Sequence, residues 1–126
     1  MEAHGKPYRI EYYVTPEGES LVDEFFEGIN ETHQGKILRW FGYLKEQGPN
    51  LPRPYADVLE GKIRELRIAI SHHQYRFLYF FHGKTIVITH GFLKKTDKVP
   101  QTEIERAKRY MADWIHCWSH KQGGDE

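Results

Sequence analysis

The sequence predicts an α+β domain in the order β-α-α-β-β-β-α, with a small, mainly antiparallel sheet, helices packed on one face and a C-terminal helix. Two patterns carry this prediction. Four segments are rich in β-formers or alternate between apolar and polar residues, as strands do, and three segments repeat apolar residues every three or four positions, as helices do. The 126 residues, 39% of them apolar, suit a single domain over 1–126 with a core of about residues 8–118 and flexible ends.

One strand and two helices fill the N-terminal part. Residues Tyr8–Val14 alternate and are rich in β-formers, which predicts the strand. Ser20, followed three residues later by an acid, predicts the N-cap of a short helix. Thr32 predicts the N-cap of a second helix, which the Gly48-Pro49 pair ends. The predicted buried stripe of this second helix is Ile37, Trp40, Phe41 and Leu44.

Three strands and a final helix follow a proline-rich connector at residues 49–54. The predicted strands are Ile63–Ile70, Gln74–Phe81 and Thr85–Leu93. Short turns join them, which predicts antiparallel pairing. Pro100 suits the first turn of the last helix. We expect the polar tail from Ser119 to fray and the sheet face opposite the helices to stay partly open.

Charge is balanced over the whole chain but not along it. The sequence has 18 Lys and Arg against 18 Asp and Glu, which excludes a uniformly basic nucleic-acid binder. Residues 1–31 carry a net charge of −6, whereas residues 61–98 carry +6. This asymmetry predicts either a basic face that holds phosphate or an acidic helix and basic strands that neutralise each other.

Several function classes are excluded by what the sequence lacks. It has one cysteine, Cys117, so no intramolecular disulfide or cysteine zinc cluster is expected. The three histidines His72, His82 and His90 predict no metal site, because two of them lie at hairpin turns without an acidic partner. The N-terminus has no apolar signal segment, and no apolar run approaches membrane-spanning length, so we expect a cytoplasmic protein with no membrane partner. The sequence has no GxGxxG motif and no P-loop, and we expect no cofactor.

Four basic residues are expected to converge at one end of the sheet: Arg67, Arg76, Lys94 and Lys95. Arginine offers paired donors that match a phosphate, and a lysine crowded by other cations gives up its proton more readily, so it could act as a base. The alternative is an ordinary solvated rim in which Arg67 pairs with Glu65 or with an acid of the first helix.

Other candidates lie close to this basic cluster. His90 could exchange a proton with a ribose hydroxyl or a leaving oxygen, although a hydrogen-bonded core histidine is the alternative. Tyr75 and Phe92, near strand ends, are the aromatic residues most suited to stacking on an unpaired base, while most aromatic residues here belong to the core. Further phosphate contacts are predicted for Lys62, Arg64 and Lys98.

Four ordered motifs resemble the phage-derived HigB-like toxins of the RelE/ParE superfamily of type II toxin–antitoxin systems. The resemblance runs from about Tyr8 to Trp114, and the motifs lie between Leu59 and Ala107. They are Leu59-x₅-Glu65-Leu-Arg67, then Tyr75-Arg76-Phe-Leu-Tyr-Phe, then His90-Gly91-Phe92-x-Lys94-Lys95-Thr96, and then Val99-Pro100-x₂-Glu103-Ile104-x₂-Ala107. The resemblance implies a RelE-like fold and a ribosome-dependent, metal-independent mRNA endoribonuclease that inhibits translation and arrests growth. A cognate antitoxin with a helix-turn-helix domain would hold it inactive in a hetero-oligomer.

The resemblance also implies roles for the candidate residues. Arg67 and Arg76 would clamp the scissile phosphate, Lys94 and Lys95 would supply charge or the base, and His90 would be a weaker acid–base candidate. Two other functions remain open at this point: a ParE-like toxin that poisons gyrase without nuclease activity, and a non-catalytic phage-derived protein that only binds partners.

Overall fold

The computed structural model describes residues 8–123 and contains one five-stranded sheet with three α-helices. In chain order the elements are β1 (Arg9–Tyr12), α1 (Leu21–Glu27), α2 (Glu31–Gln47), a 3₁₀ turn (Gly48–Asn50), β2 (Ala56–Glu60), β3 (Ile63–Ile70), β4 (His73–His82), β5 (Thr85–Leu93) and α3 (Gln101–Gly123). The strand order is β1-β5-β4-β3-β2, and all neighbours are antiparallel except the parallel β1–β5 pair. The predicted α+β class is therefore confirmed, and the architecture is consistent with a RelE-like fold.

Strand β2 is the element that the sequence prediction omitted. It pairs antiparallel with β3 from the Ala56–Leu66 pair onward, and its register shifts between Val58 and Glu60. An edge strand has one neighbour and one solvated side, so a short segment with two acids and an exposed valine can form it without the apolar run of a central strand. The expected order of four strands was wrong by this one strand.

Helix ends follow from local capping. The Asp23 amide donates to Ser20 Oγ at 3.3 Å, which confirms Ser20 as the N-cap of α1. The predicted N-cap Thr32 is wrong, because the His33 amide donates instead to Asn30 Oδ1 at 2.8 Å and α2 begins at Glu31. Helix α3 continues to Gly123, beyond the point where fraying was expected. The first seven and last three residues, where we expected flexible ends, lie outside the described residues.

The helices lie on both faces of the sheet. Helices α1 and α2 close one face, which contains the larger apolar core. Helix α3 packs on the other face, where Ala107 contacts Ile63 and Leu78 in one small cluster and Met111 contacts Phe80 in another. The expectation that all helices pack on one face was therefore wrong for α3. Helix α3 starts at Gln101 and leaves the part of this face around Arg67 and Arg76 uncovered.

Among the helices of residues 8–123, none combines the length with the apolar composition that crossing a bilayer requires.

Candidate functional site

A cleft of about 540 Å³ opens on the sheet face that carries α3, at the N-terminal end of that helix. The floor is formed by β3 and β4, and the walls by the end of β2, the loop after β5 and the start of α3. Its volume falls within the range of small-ligand sites. Its charged lining residues are Arg67, Arg76, Lys94 and Lys98 together with Glu60, Glu65 and Asp97.

The two arginines come together through strand register. Arg67 on β3 lies directly opposite Arg76 on β4, and Arg76 lies opposite Phe92 on β5. Side chains alternate along a strand, so Glu65 points to the same face as Arg67, two residues away. The structure thus brings together the arginine pair that the sequence predicted, on one face and one row of the sheet.

The Glu65 carboxylate lies between the two arginines and is close to both. Its Oε2 accepts from Arg67 Nε at 2.9 Å and lies 2.8 Å from Arg67 Nη2. Its Oε1 lies 3.3 Å from Arg76 Nε. Arg67 Nη2 also reaches Asp57 Oδ2 at 3.4 Å. The ion pair between Arg67 and Glu65, which the sequence left as an alternative, is therefore present, and Asp57 is a further partner.

Arg76 is the more buried arginine, with a side chain only 7% exposed. Burial lowers the pKa of its guanidinium and nearby Arg67 lowers it further, while Glu65 raises it. A guanidinium stays protonated at any working pH, so the charge persists. Within residues 8–123, Arg76 Nε and Glu65 Oε1 have no well-formed hydrogen bond despite their closeness. The floor of the cleft therefore holds a buried ion pair whose two groups lie close together without an aligned hydrogen bond.

The lysines of the loop after β5 differ in position. Lys94 and Lys98 line the cleft, whereas Lys95 is exposed and does not. The backbone amide of Lys94 donates to the Gln74 carbonyl at 2.8 Å, which fixes the start of this loop against β4. In the part of the chain that the structure describes, neither Lys94 nor Lys98 pairs with a carboxylate. These two ammonium groups are thus available to an anionic ligand.

His90 lies in the core and outside the cleft. It is 2% exposed, its Nδ1 is 2.9 Å from Thr89 Oγ1, and its Nε2 is 2.9 Å from Glu103 Oε1 on α3. Burial lowers the pKa of His90, although Glu103 opposes this change and Arg106 adds to it. The alternative of a hydrogen-bonded core histidine describes this residue, and the structure does not support contact between His90 and a substrate.

The two predicted stacking residues have different surroundings. Tyr75 is buried on the face that α1 and α2 cover, and its hydroxyl is 2.8 Å from His33 Nδ1. Its ring therefore has no free face for a base, which corrects that prediction. Phe92 is half-buried in the row of Arg76, and its ring stacks on His90 at 5.8 Å. It flanks the cleft without being among its lining residues.

Two predicted phosphate contacts lie away from the cleft. Arg64 alternates with Glu65 along β3 and therefore faces the opposite side of the sheet, where its guanidinium lies 5.2 Å from the centre of the Phe81 ring. Lys62 is exposed in the turn before β3. Neither residue lines the cleft, so the cations of residues 61–98 do not all lie on the same face of the sheet.

Glu65 is the residue whose place in the site the sequence analysis did not assign. The sequence suggests it only as a partner for Arg67, although it is the one acid among the predicted strands of residues 61–98. A lone acid two positions from an arginine on the same strand face is a signal for a built ion pair, because charged groups on strands are otherwise solvated. Within the described residues, no three His, Cys, Asp or Glu side chains converge as metal ligands would.

Comparison with known proteins gives a family for the chain. Comparison with curated proteins found no significant match. A family model, Phage derived protein Gp49-like (DUF891), matches residues 24–112. This match covers most of the chain, including every residue that lines the cleft. The chain therefore belongs to the phage-derived Gp49-like family.

Proposed function

We propose that the protein is the toxin of a type II toxin–antitoxin system and that it cleaves translated mRNA in the ribosome. The observation that carries the proposal is the cleft in which Arg67 and Arg76 lie side by side, with Lys94 and Lys98 at its wall. Membership of a phage-derived family and the RelE-like architecture support it. The partner expected to hold the toxin inactive is a helix-turn-helix antitoxin.

The cleft suits cleavage by the neighbouring ribose hydroxyl. In that reaction the 2′-oxygen loses its proton and attacks the phosphorus, the bond to the 5′-oxygen breaks, and that oxygen takes up a proton. The phosphorane formed on the way carries extra negative charge, which fixed cations stabilise. Arg67 and Arg76 would bind its non-bridging oxygens, and Lys94 would add charge from the cleft wall.

The role of Glu65 in this proposal is to position the arginines. A flexible arginine loses side-chain entropy when it is fixed on a phosphate, and a carboxylate that already holds it reduces this loss. Glu65 contacts Arg67 through one oxygen and approaches Arg76 with the other. The arginines are thus held at adjacent places before a phosphate arrives.

The test is induced expression of the chain with and without the adjacent helix-turn-helix reading frame, followed by mapping of mRNA 5′ ends. We expect growth arrest and new 5′ ends within translated regions when the chain is expressed alone, and neither effect when the helix-turn-helix protein is present. Growth arrest with intact transcripts would overturn the nuclease and favour a toxin of the gyrase-poisoning kind. Unaffected growth would favour a protein that only binds partners.

A further inference from the structure

A second groove, of about 400 Å³, adjoins the cleft at the edge of the sheet. Arg67 and Arg76 line both. The groove exists because the strand ladder between β2 and β3 ends at the Ala56–Leu66 pair, so among the described strands none flanks the last residues of β3 on this side. The floor at this place includes Ala69 and Gln74, whose side chains leave room above the sheet.

The wall of this groove is aromatic. Trp40 of α2 and Tyr55, which precedes β2, lie with ring centres 4.9 Å apart and ring planes inclined by 33°. Tyr43 packs its edge against Trp40 at 5.1 Å. Tyr43 and Tyr55 are each 42% exposed. Large aromatic surface that stays open to solvent beside a charged cleft is typical of a binding surface rather than of a core.

Cations flank the aromatic wall. Lys36 and Arg39 line a smaller groove that continues from Trp40 and Tyr43 along α2. Arg67 lies at the other end, where the aromatic groove meets the cleft. Among the described residues, no acidic side chain lines either of these two grooves. The charge of this surface therefore complements a polyanion that also carries flat apolar groups.

We propose that the groove walled by Trp40 and Tyr55 binds an unpaired base of a single-stranded RNA, which stacks on the exposed ring of Tyr55 while its adjacent phosphate lies on Arg67 and Arg76. The inference rests on the proposed function and adds a base-binding site to it. Aromatic rings stack on any base because every base has a π-face, while cations alongside hold the backbone. Base stacking at this site provides affinity without choosing a sequence.

Tyr55 is the residue to change, because its side chain is exposed and its two backbone hydrogen bonds do not depend on the ring. Its amide donates to the Pro52 carbonyl and its carbonyl accepts from the Arg67 amide, and a side-chain substitution leaves both bonds in place. The variants are Tyr55→Ala, which removes the ring, and Tyr55→Phe, which keeps it. Trp118→Ala is the matched control, because it removes another exposed aromatic side chain, near the far end of α3.

The experiment measures fluorescence anisotropy of two labelled probes at low salt: a single-stranded oligouridylate of about ten nucleotides and an abasic oligomer of the same length. We expect Tyr55→Ala to weaken binding of the oligouridylate by roughly tenfold and to leave binding of the abasic oligomer unchanged. We expect Tyr55→Phe and Trp118→Ala to bind both probes as the wild-type protein does.

Three results would overturn the base site: wild-type affinity of Tyr55→Ala for the oligouridylate, equal affinity of the wild-type protein for both probes, or no binding of either probe. Equal affinity for both probes would leave phosphate binding by the cleft intact. Mapping of mRNA 5′ ends decides the nuclease separately, so failure of the base site and failure of the proposed function give different results.

Discussion

The two faces of the sheet are built from the same strands but differ in what covers them and in which side chains they carry. On the face that α1 and α2 close, buried aromatic and aliphatic side chains pack into the larger core. On the opposite face, α3 covers the sheet only from Gln101 onward and leaves charged side chains of β3 and β4 at the floor of a cleft. A strand serves both faces at once: β3 directs Leu66 into the core and Arg67 into the cleft.

This difference separates residues that hold the fold from residues to which the proposed function assigns chemistry. On the closed face a substitution should change stability, because each side chain fills space that no other group can fill. On the open face a substitution should change activity first, and stability only where a buried charge loses its partner. Matched variants on the closed and the open face therefore test whether the two faces differ in their effects on stability and activity.

The largest effect is expected from Arg67→Ala on the open face. We expect it to reduce mRNA cleavage by roughly 100-fold or more, because the proposed mechanism uses Arg67 to stabilise the charge that develops on the phosphate. Folding should persist, since the Arg67 side chain is 32% exposed and the buried Glu65 still has Arg76 beside it. The measurement is the rate of appearance of new mRNA 5′ ends at equal protein levels.

Arg64→Ala is the matched control, because Arg64 lies on the same strand but faces the other side. We expect its cleavage rate to remain close to that of the wild-type protein. An equal loss of activity in both variants would mean that the two faces do not divide function in this way. Undiminished toxicity of Arg67→Ala would remove the arginine pair from the mechanism.

The next effect concerns the buried ion pair beneath the cleft. Glu65→Gln keeps the shape of the side chain but leaves Arg76 buried beside an uncharged group, which should lower the free energy of unfolding by about 3 kcal/mol. The double variant Glu65→Gln, Arg76→Gln removes both charges and should recover much of this loss. Urea unfolding of the wild-type protein, Glu65→Gln, Arg76→Gln and the double variant gives the coupling energy. Strict additivity would show that the pair is not coupled.

A smaller change in stability is expected on the closed face at Gly91. A Cβ atom there would lie 2.5 Å from Phe77 Cε2 and 2.8 Å from Phe25 Cδ2, so Gly91→Ala overpacks the contact between α1 and the sheet. We expect a loss of about 2 kcal/mol in the free energy of unfolding.

Gly42→Ala is the control for this substitution. Gly42 lies within α2, and a Cβ atom there meets nothing within 4 Å. The same chemical change should therefore raise the free energy of unfolding, by about 0.5–1 kcal/mol, through helix propensity. Changes of the same sign at both glycines, measured by urea unfolding, would contradict this account of the closed face.

The sequence predicted most of the fold because periodicity depends on local pattern alone. β3 and β5 begin and end where apolar runs and turn residues predicted, and Ser20 caps α1 as expected. β2 escaped prediction because its pairing with β3, rather than its own composition, makes it a strand. Likewise, nothing local in the pattern of α3 tells which sheet face it covers.

The candidate site was predictable only in part, for a related reason. Alternation along β3 and a short hairpin placed Arg67 beside Arg76. Whether a polar side chain is buried depends on which other element covers it. His90 is buried because α3 covers it, and Tyr75 is buried because α2 places His33 against its hydroxyl. The aromatic groove at Tyr55 is formed by α2, the segment before β2 and the edge of β3 together, so no single segment indicated it.

The smallest expected effect is a pH dependence from His90, which lies at the boundary between the covered and the open part of the α3 face. Burial lowers the pKa of His90 in the folded protein, so the unfolded chain binds a proton there at a higher pH than the folded chain does. The neutral His90 ring makes its full contribution to the free energy of unfolding above the pKa of the unfolded chain, about 6.5. This contribution falls as the pH drops toward the lower pKa of the folded protein. Glu103 opposes this loss and Arg106 strengthens it.

The measurement is urea unfolding of the wild-type protein and His90→Gln at about pH 7.5 and about pH 5.5, on either side of the unfolded pKa. Gln can still donate to Glu103 but does not titrate, so the wild-type protein should lose more free energy of unfolding on acidification than the variant does. The other histidines are common to both proteins and cancel in the difference. An equal loss would mean that His90 keeps an ordinary pKa in the fold, and that the contact between β5 and α3 leaves its ring open to protons.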